Sequence, residues 1–394
     1  MKKIVFVLAA LAVSFISFAG NAADTFTDKS NDWWRKATPE AVEEVIKAGA
    51  NVNEKNLDGL TPLMVAARHN QDPKVLEVLI KNKANISAQN DEGVNALMIA
   101  SAFNQNADVV KQLIESGADN NAKNFESVTP VMFAAAFNQN PKIIDVLAKY
   151  GSDLNAKNDK SATPLMYAVS SNPNIEVMRA LIRNGADIHS RNASGTTVLM
   201  FATQYAQDPE MVNILIKLGT DLQARNNAGA TVLMTAAQYN PNPKVIDIIM
   251  KYDPNLITLR DNNGATPLMY AASNNQNPKI IDTLIEYGDD IKTRDNNGTS
   301  AIMYAASNNQ NPEIIETLIK HGAQLNKKDD NGLTPLMYAA ATSKNTKIIE
   351  LLLKYGADVR IKDYDRKTAL DYAKSNPDIY NTDAYWRIND RMYE

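Results

Sequence analysis

The sequence predicts an all-α solenoid, a row of about ten stacked helix–turn–helix units, and three observations predict it. A four-residue motif recurs as TPLM at Thr61, NALM at Asn95, TPVM at Thr129, TPLM at Thr163, TVLM at Thr197 and Thr231, TPLM at Thr266, SAIM at Ser300, TPLM at Thr334 and TALD at Thr368. Successive starts lie 34 residues apart, except the 35 from Thr231 to Thr266. Within the units an Asn-Pro or Asp-Pro pair follows, at Asp72, Asn140, Asp208, Asn242, Asn277 and Asn311. A glycine then closes most units: Gly49, Gly117, Gly151, Gly185, Gly219, Gly288, Gly322 and Gly356. A chain of 394 residues would ordinarily suggest two or three domains, but a solenoid grows by stacking and escapes that expectation.

The start reads as a secretory leader, assigned to residues 1–22. Lys2 and Lys3 precede an apolar run, Ile4 to Phe18, and small residues follow. Cleavage after Ala22 fits Gly20 and Ala22, with Ala23 as the alternative and an uncleaved anchor as the competing reading. The leader has a bacterial look and implies a periplasmic or secreted protein without a membrane span after cleavage. There is no cysteine, hence no disulfide and no thiol chemistry.

Residues 23–56 form an N-terminal linker and capping repeat. Trp33 and Trp34 precede a helix-like stretch, Pro39 to Lys47, with Val42, Val45 and Ile46 apolar. Residues 57–365 hold nine repeats. Each opens with Thr, Ser or Asn, which cap free amides at a helix start, and Pro often follows at the first helical position. An Asn-rich turn leads to a second cap and a second helix with apolar residues at helical spacing, as in Ile280, Ile281, Leu284 and Ile285. Glycine stops that helix by taking a left-handed conformation; Lys83 and Asp253 depart from the rule. A polar turn such as Asp295-Asn296-Asn297-Gly298 leads onward. Residues 366–394 form a C-terminal capping repeat, with Tyr380, Tyr385, Trp386, Ile388 and Met392 available to cover the last unit. Helices this short are marginal alone and must bury their faces against neighbours.

These residues resemble the ankyrin repeat family. The Thr-Pro-Leu motif, paired alanines (Ala66-Ala67, Ala271-Ala272, Ala305-Ala306), the Gly-Ala-Asp stretches at Gly117, Gly185 and Gly356, and the Asn/Asp-x-x-Gly turn match across residues 30–380. The resemblance implies two antiparallel helices per unit and a β-hairpin-like loop projecting at right angles. It also implies a concave face that binds proteins. Three departures stand out. The family period is about 33 residues, and the extra residue here falls in the Asn-rich turn. The family's histidine is methionine at Met64, Met98, Met132, Met166, Met200, Met234, Met269, Met303 and Met337, so packing is expected to replace its polar bridging. Asp253-Pro254-Asn255 stands where Gly288-Asp289-Asp290 stands next door, which predicts a local irregularity. In the last unit Asp371 replaces the methionine, as suits an edge facing water.

Candidate chemistry is sparse. The methionines could hold a soft metal, but members of adjacent helices 8–10 Å apart do not converge on one ion, and core packing is the stronger reading. His69, His189 and His321 occupy different repeat positions and read as solvated or locally bonded. No phosphate loop, nucleophile elbow or zinc motif is present. Neither a catalytic residue nor a metal or cofactor is assigned. The net charge of −4, without a basic block, does not suggest nucleic acid. The Asn-Gln-Asn turns read as turn chemistry with hydrogen bonds between stacked units, against a glycan-binding surface.

Aromatics carry the functional reading. Four residues after the cap stand Ile99, Phe133, Tyr167, Phe201, Tyr270, Tyr304 and Tyr338, expected mainly to pack. Eight residues after it stand Phe103, Phe137, Tyr205 and Tyr239, which form a binding patch or pack under neighbouring loops. Leu57, Phe125, Asn227, Asn262, Asn296 and Tyr364 are expected at the loop tips. The partner-binding set is Phe103, Phe137, Tyr205, Tyr239, Phe125 and Tyr167. The expected function is a monomeric, non-enzymatic scaffold for a protein or peptide. The alternatives are a released effector or inhibitor of a secreted protein, and methionine-based handling of metal or oxidant.

Overall fold

The computed structural model describes residues 26–206 and 208–393, so the leader expected over residues 1–22 lies outside the described residues. The chain divides between Ala193 and Ser194 into two compact units. Twenty-two α-helices form among the described residues, without a strand; one isolated bridge joins Arg294 to Ser300.

Unit one begins with helices Asn31–Lys36 and Pro39–Lys47 and continues with four helix pairs, from Pro62–His69 to Ile175–Arg183. Unit two holds six pairs, from Val198–Tyr205 to Asp383–Arg391. The two helices of a pair differ in kind. First helices are buried nearly all round: in Pro62–His69, every residue from Pro62 to Ala67 is buried. A helix sandwiched between neighbours has no solvent stripe, and its alanines allow close approach. Second helices are one-sided, burying Ile280, Ile281 and Leu284 in Pro278–Glu286.

Most caps form as expected, though the buried hydroxyls of Thr61 and Thr129 accept no capping bond. Asn95 Oδ1 accepts from the Met98 N–H at 3.0 Å, and Asn277 Oδ1 from the Lys279 N–H at 3.1 Å. All nine methionines are buried, as core packing requires. Packing is not their whole role, however. The sulfurs of Met64, Met234, Met303 and Met337 each accept the N–H of their helix's capping residue at 3.4–3.5 Å, a weak form of the reciprocal cap. Asp371 does the same with a carboxylate, taking the Thr368 N–H at 2.9 Å and its hydroxyl at 2.8 Å. That position therefore keeps its capping role at the edge and is more than a concession to water.

The Asn-rich turn joins one repeat to the next. Asn138 Nδ2 donates to the Ser101 and Asn104 carbonyls at 3.0 and 2.8 Å. Asn309 Nδ2 does the same to Ala272 and Asn275 at 3.0 and 2.8 Å. Asn70, Asn104, Asn172, Asn240, Asn275 and Asn376 repeat the pattern inside their own units. A second row of amides runs beside it: Asn106, Asn140 and Asn174 each donate to the preceding turn's glutamine carbonyl, at 2.7, 2.8 and 2.6 Å. Ala206 and Ser343 occupy the first row without an amide.

The closing glycines adopt φ between +86° and +102° where they follow second helices in unit one, and Lys83 keeps that geometry at φ +70°. Unit two treats its exception differently. Helix Pro243–Tyr252 runs to ten residues, Asp253 takes φ −148°, and a 3₁₀ turn Pro254–Thr258 buries Leu256. The irregularity expected from the 35-residue step is this turn.

The ends are closed by aromatic residues. Trp34 is fully buried, with Phe26 at 5.1 Å and Trp33 at 4.9 Å between ring centroids. At the other end Tyr385 and Ile388 are buried, while Tyr380 and Trp386 flank Tyr385 and stay exposed.

Candidate interaction surfaces

The last turn of the first helices carries the position-eight rings. In unit one the Phe103 and Phe137 rings stack at 5.9 Å, and the Arg68 guanidinium lies 4.6 Å from the Phe103 centroid. Phe133 continues the cluster at 6.5 Å from Phe137. Both phenylalanines are half-buried. Beside Arg68, a cavity of about 330 Å³ lies between residues 27–32 and the side chains of Met64, Val65, His69 and Ile99.

Unit two bears Tyr205 and Tyr239 at that position; Tyr205 is half-buried and stacks at 6.2 Å on Phe201, and Tyr239 is 37% exposed. Burial raises the phenol pKa of both. The position-four ring completes a further motif. Tyr270, Tyr304 and Tyr338 donate their hydroxyls to Asp261, Asp295 and Asp329 at 2.8, 2.7 and 2.7 Å, and Tyr372 donates to Asp363. Desolvation first, then the hydrogen-bonded aspartate, lifts all four phenols; Tyr372 reaches about 12.

Loop tips run in register within each unit. The Phe125 N–H donates to the Glu92 carbonyl at 3.3 Å, and the Asn296 N–H to Asn263 at 2.9 Å. Glycine eases this approach at Gly93, where a Cβ would meet the Phe125 nitrogen at 2.8 Å, while Ser127 and Ser161 hold the same position at φ +59° and +56°. Leu57, Phe125 and Tyr364 stand exposed at these tips, as the turn chemistry predicts.

The family profile described as "Ankyrin repeats (3 copies)" matches residues 34–124, 131–226, 199–295, 275–363 and 302–381. The chain belongs to the ankyrin repeat family. None of the curated proteins compared with it matches. The period, the caps and the methionine positions thus describe an ankyrin-repeat protein whose turn between helices is one residue longer than the common unit.

Within this ankyrin array, the structure brings together Phe103 with Phe137 and sets Phe125 at an exposed tip. Tyr167 is a correction. It is 3% exposed and receives a 2.8 Å hydrogen bond from Asn158 Nδ2, so its ring is a packing element and not a partner contact. The position decides it: Phe133 and Phe201, also four residues after their caps, are buried at 3% and 4%, and the Tyr167 hydroxyl meets Asn158 of its own loop.

The histidines are apart. His321 Nε2 lies 2.7 Å from Asp282 Oδ1, a local bond. His69 is half-buried rather than solvated. Burial, then the nearby Arg68 and Arg35 charges, pull its pKa down to about 4, so it is neutral at physiological pH. Asp289 is a feature the sequence reading passed over. It is 5% exposed and accepts the Leu268 N–H at 2.8 Å, and desolvation pushes its pKa up to about 7. Its signal was available: it stands where Ala118, Ala186, Ala323 and Ala357 stand in other repeats. Among the described residues no group of three or more histidine, cysteine or acidic side chains is placed to hold a metal ion.

Proposed function

We propose that this ankyrin-repeat protein is a non-enzymatic scaffold that holds a protein or peptide partner on its first-helix face. That face is the concave side in the stack the family resemblance implies. The observation that carries the reading is the Arg68–Phe103–Phe137 stack. Half-exposed rings ordered against a guanidinium, at the open end of first helices, have the composition of an interface hot spot. Tyr205 and Tyr239 supply a second aromatic pair on unit two, and Phe125 adds an exposed ring at a loop tip. The leader supports a periplasmic or secreted site of action. The buried methionines present no sulfur to a dissolved ion, which favours binding over metal handling.

The test is crosslinked capture from the cell envelope with the native chain and with Phe103→Ala/Phe137→Ala. Loss of about 2 kcal/mol of partner affinity, roughly thirtyfold in Kd, is expected. The far-ultraviolet circular dichroism should not change. Undiminished capture by the variant would refute the site. Tyr205→Ala/Tyr239→Ala tests the second pair by the same measurement.

A further inference from the structure

The sequence has no basic run, yet three loops of unit two assemble a cationic concavity of about 900 Å³. Arg294, Lys327, Lys328, Arg360 and Lys362 line it, and the remaining three lining residues are uncharged. Among the described residues no ion pair involves any of the five. Two of them brace the surface. Arg294 donates to the carbonyls of Gly298 and Lys328, and the Lys328 ammonium lies 5.6 Å from the Tyr364 centroid. The other three, Lys327, Arg360 and Lys362, are exposed. Two of the five are particular to this region. In unit one the positions matching Lys327 hold Ala88, Ala122 and Ala156, and those matching Arg360 hold Ser87, Asn121 and Asn155. The position shared by Arg294, Lys328 and Lys362 is basic in unit one too, at Lys55, Lys123 and Lys157.

We infer that this concavity binds an extended acidic segment of the protein partner, an inference that rests on the scaffold reading above. Five cations facing one hollow in a chain of net charge −4 call for carboxylates from outside. The repeat spacing suits a peptide. Neighbouring helices pack about 8–10 Å apart, and an extended chain rises about 3.3 Å per residue. Acidic side chains three residues apart therefore meet cations on successive loops. A nucleic-acid strand suits the site less well. Exposed Asp330, Asp358 and Asp365 share these loops and would repel a continuous row of phosphates, whereas a short acidic segment avoids them.

The experiment is a fluorescence-anisotropy titration of the full chain with a labelled peptide carrying glutamate at every third position. Its glutamine counterpart and a single-stranded oligodeoxynucleotide of equal charge serve as comparisons. The glutamate peptide should bind, weaken as salt rises, and weaken about tenfold in Lys327→Gln/Arg360→Gln. Lys327→Arg should bind like the native chain, as should Phe103→Ala/Phe137→Ala. The inference is overturned if the glutamine peptide binds equally, if Lys327→Gln/Arg360→Gln changes nothing, or if the oligonucleotide binds as tightly as the glutamate peptide. Because the titration reads this surface alone, peptide binding with no loss of partner capture in the phenylalanine variant would sink the scaffold site and leave this one standing. Capture that depends on the phenylalanines, with no peptide binding, would do the reverse.

Discussion

In unit one the loop residue nine before position four is an amide: Asn90 before Ile99, Asn124 before Phe133, Asn158 before Tyr167. Over four successive repeats of unit two it is a carboxylate, Asp261, Asp295, Asp329 and Asp363, and the ring is then always tyrosine. Both residue types do the same turn work. Asn124 Oδ1 accepts the Glu126 and Val128 N–H groups at 3.0 and 2.8 Å, and Asp295 Oδ1 accepts those of Asn297 and Thr299 at 2.9 and 2.8 Å. The difference is the second atom. A carboxylate presents another acceptor, which needs a donor when buried, and the tyrosine hydroxyl provides it. A pair of substitutions nine residues apart is thus one structural decision. Unit one carries an isoleucine, a phenylalanine and one amide-bonded tyrosine at these positions, whereas four repeats of unit two bind their tyrosines to carboxylates of their own loops.

What the units share should cost most to remove. Asn138→Ala in unit one and Asn309→Ala in unit two each strip two hydrogen bonds from buried carbonyls, and each should lose about 2–4 kcal/mol in urea denaturation. If hydrogen exchange near the two sites shows losses differing by more than about 1 kcal/mol, the units do not share this support equally.

The tyrosine–aspartate pair comes next. Tyr304→Phe leaves a buried carboxylate oxygen without its donor and should cost about 1.5–3 kcal/mol; Tyr167→Phe, whose partner is a neutral amide, should cost about 1 kcal/mol. Adding Asp295→Asn to Tyr304→Phe recreates the Asn124–Phe133 combination and should recover most of the loss, a result that additivity of the single variants would contradict. The phenol pKa values add a pH signature. Folded-state values raised above the unfolded value mean that the folded chain holds more protons, so stability is full below about pH 10 and falls as pH rises beyond it. Unit two should therefore loosen first in alkali, seen as tyrosinate absorbance rising together with unfolding, and phenylalanine at Tyr270, Tyr304, Tyr338 and Tyr372 should flatten the profile.

The smallest effect separates the two exceptions to the closing glycine. Lys83 holds a left-handed backbone at φ +70° that a side chain disfavours, so Lys83→Gly should stabilise by up to about 1 kcal/mol by thermal denaturation. The same change at Asp253 should bring no such gain, because that residue has left the left-handed region and caps a 3₁₀ turn.

The array was legible because every repeat restates the same local chemistry: a cap, a proline at the first helical position, an apolar face and a glycine stop. The methionine core, the hydrogen-bonded amide turns and an irregularity near Pro254 followed from the repeat's spacing and residue types. The candidate site was only half legible. Sequence position placed Phe103 and Phe137 at the same point of successive first helices. Whether a ring stands out or folds in depends on what its neighbours leave open, which is why Tyr167 was misplaced. The sulfur caps and the raised pKa of Asp289 needed distances and burial. So did the cationic concavity, built from three loops spread over residues 294–362, where no local window looks basic. Sequence by itself determined the repeat and its elements, since these are fixed by interactions within a few residues. Tertiary structure alone decided which side chains meet solvent and which charges share a surface, because packing neighbours arrive from a full repeat away.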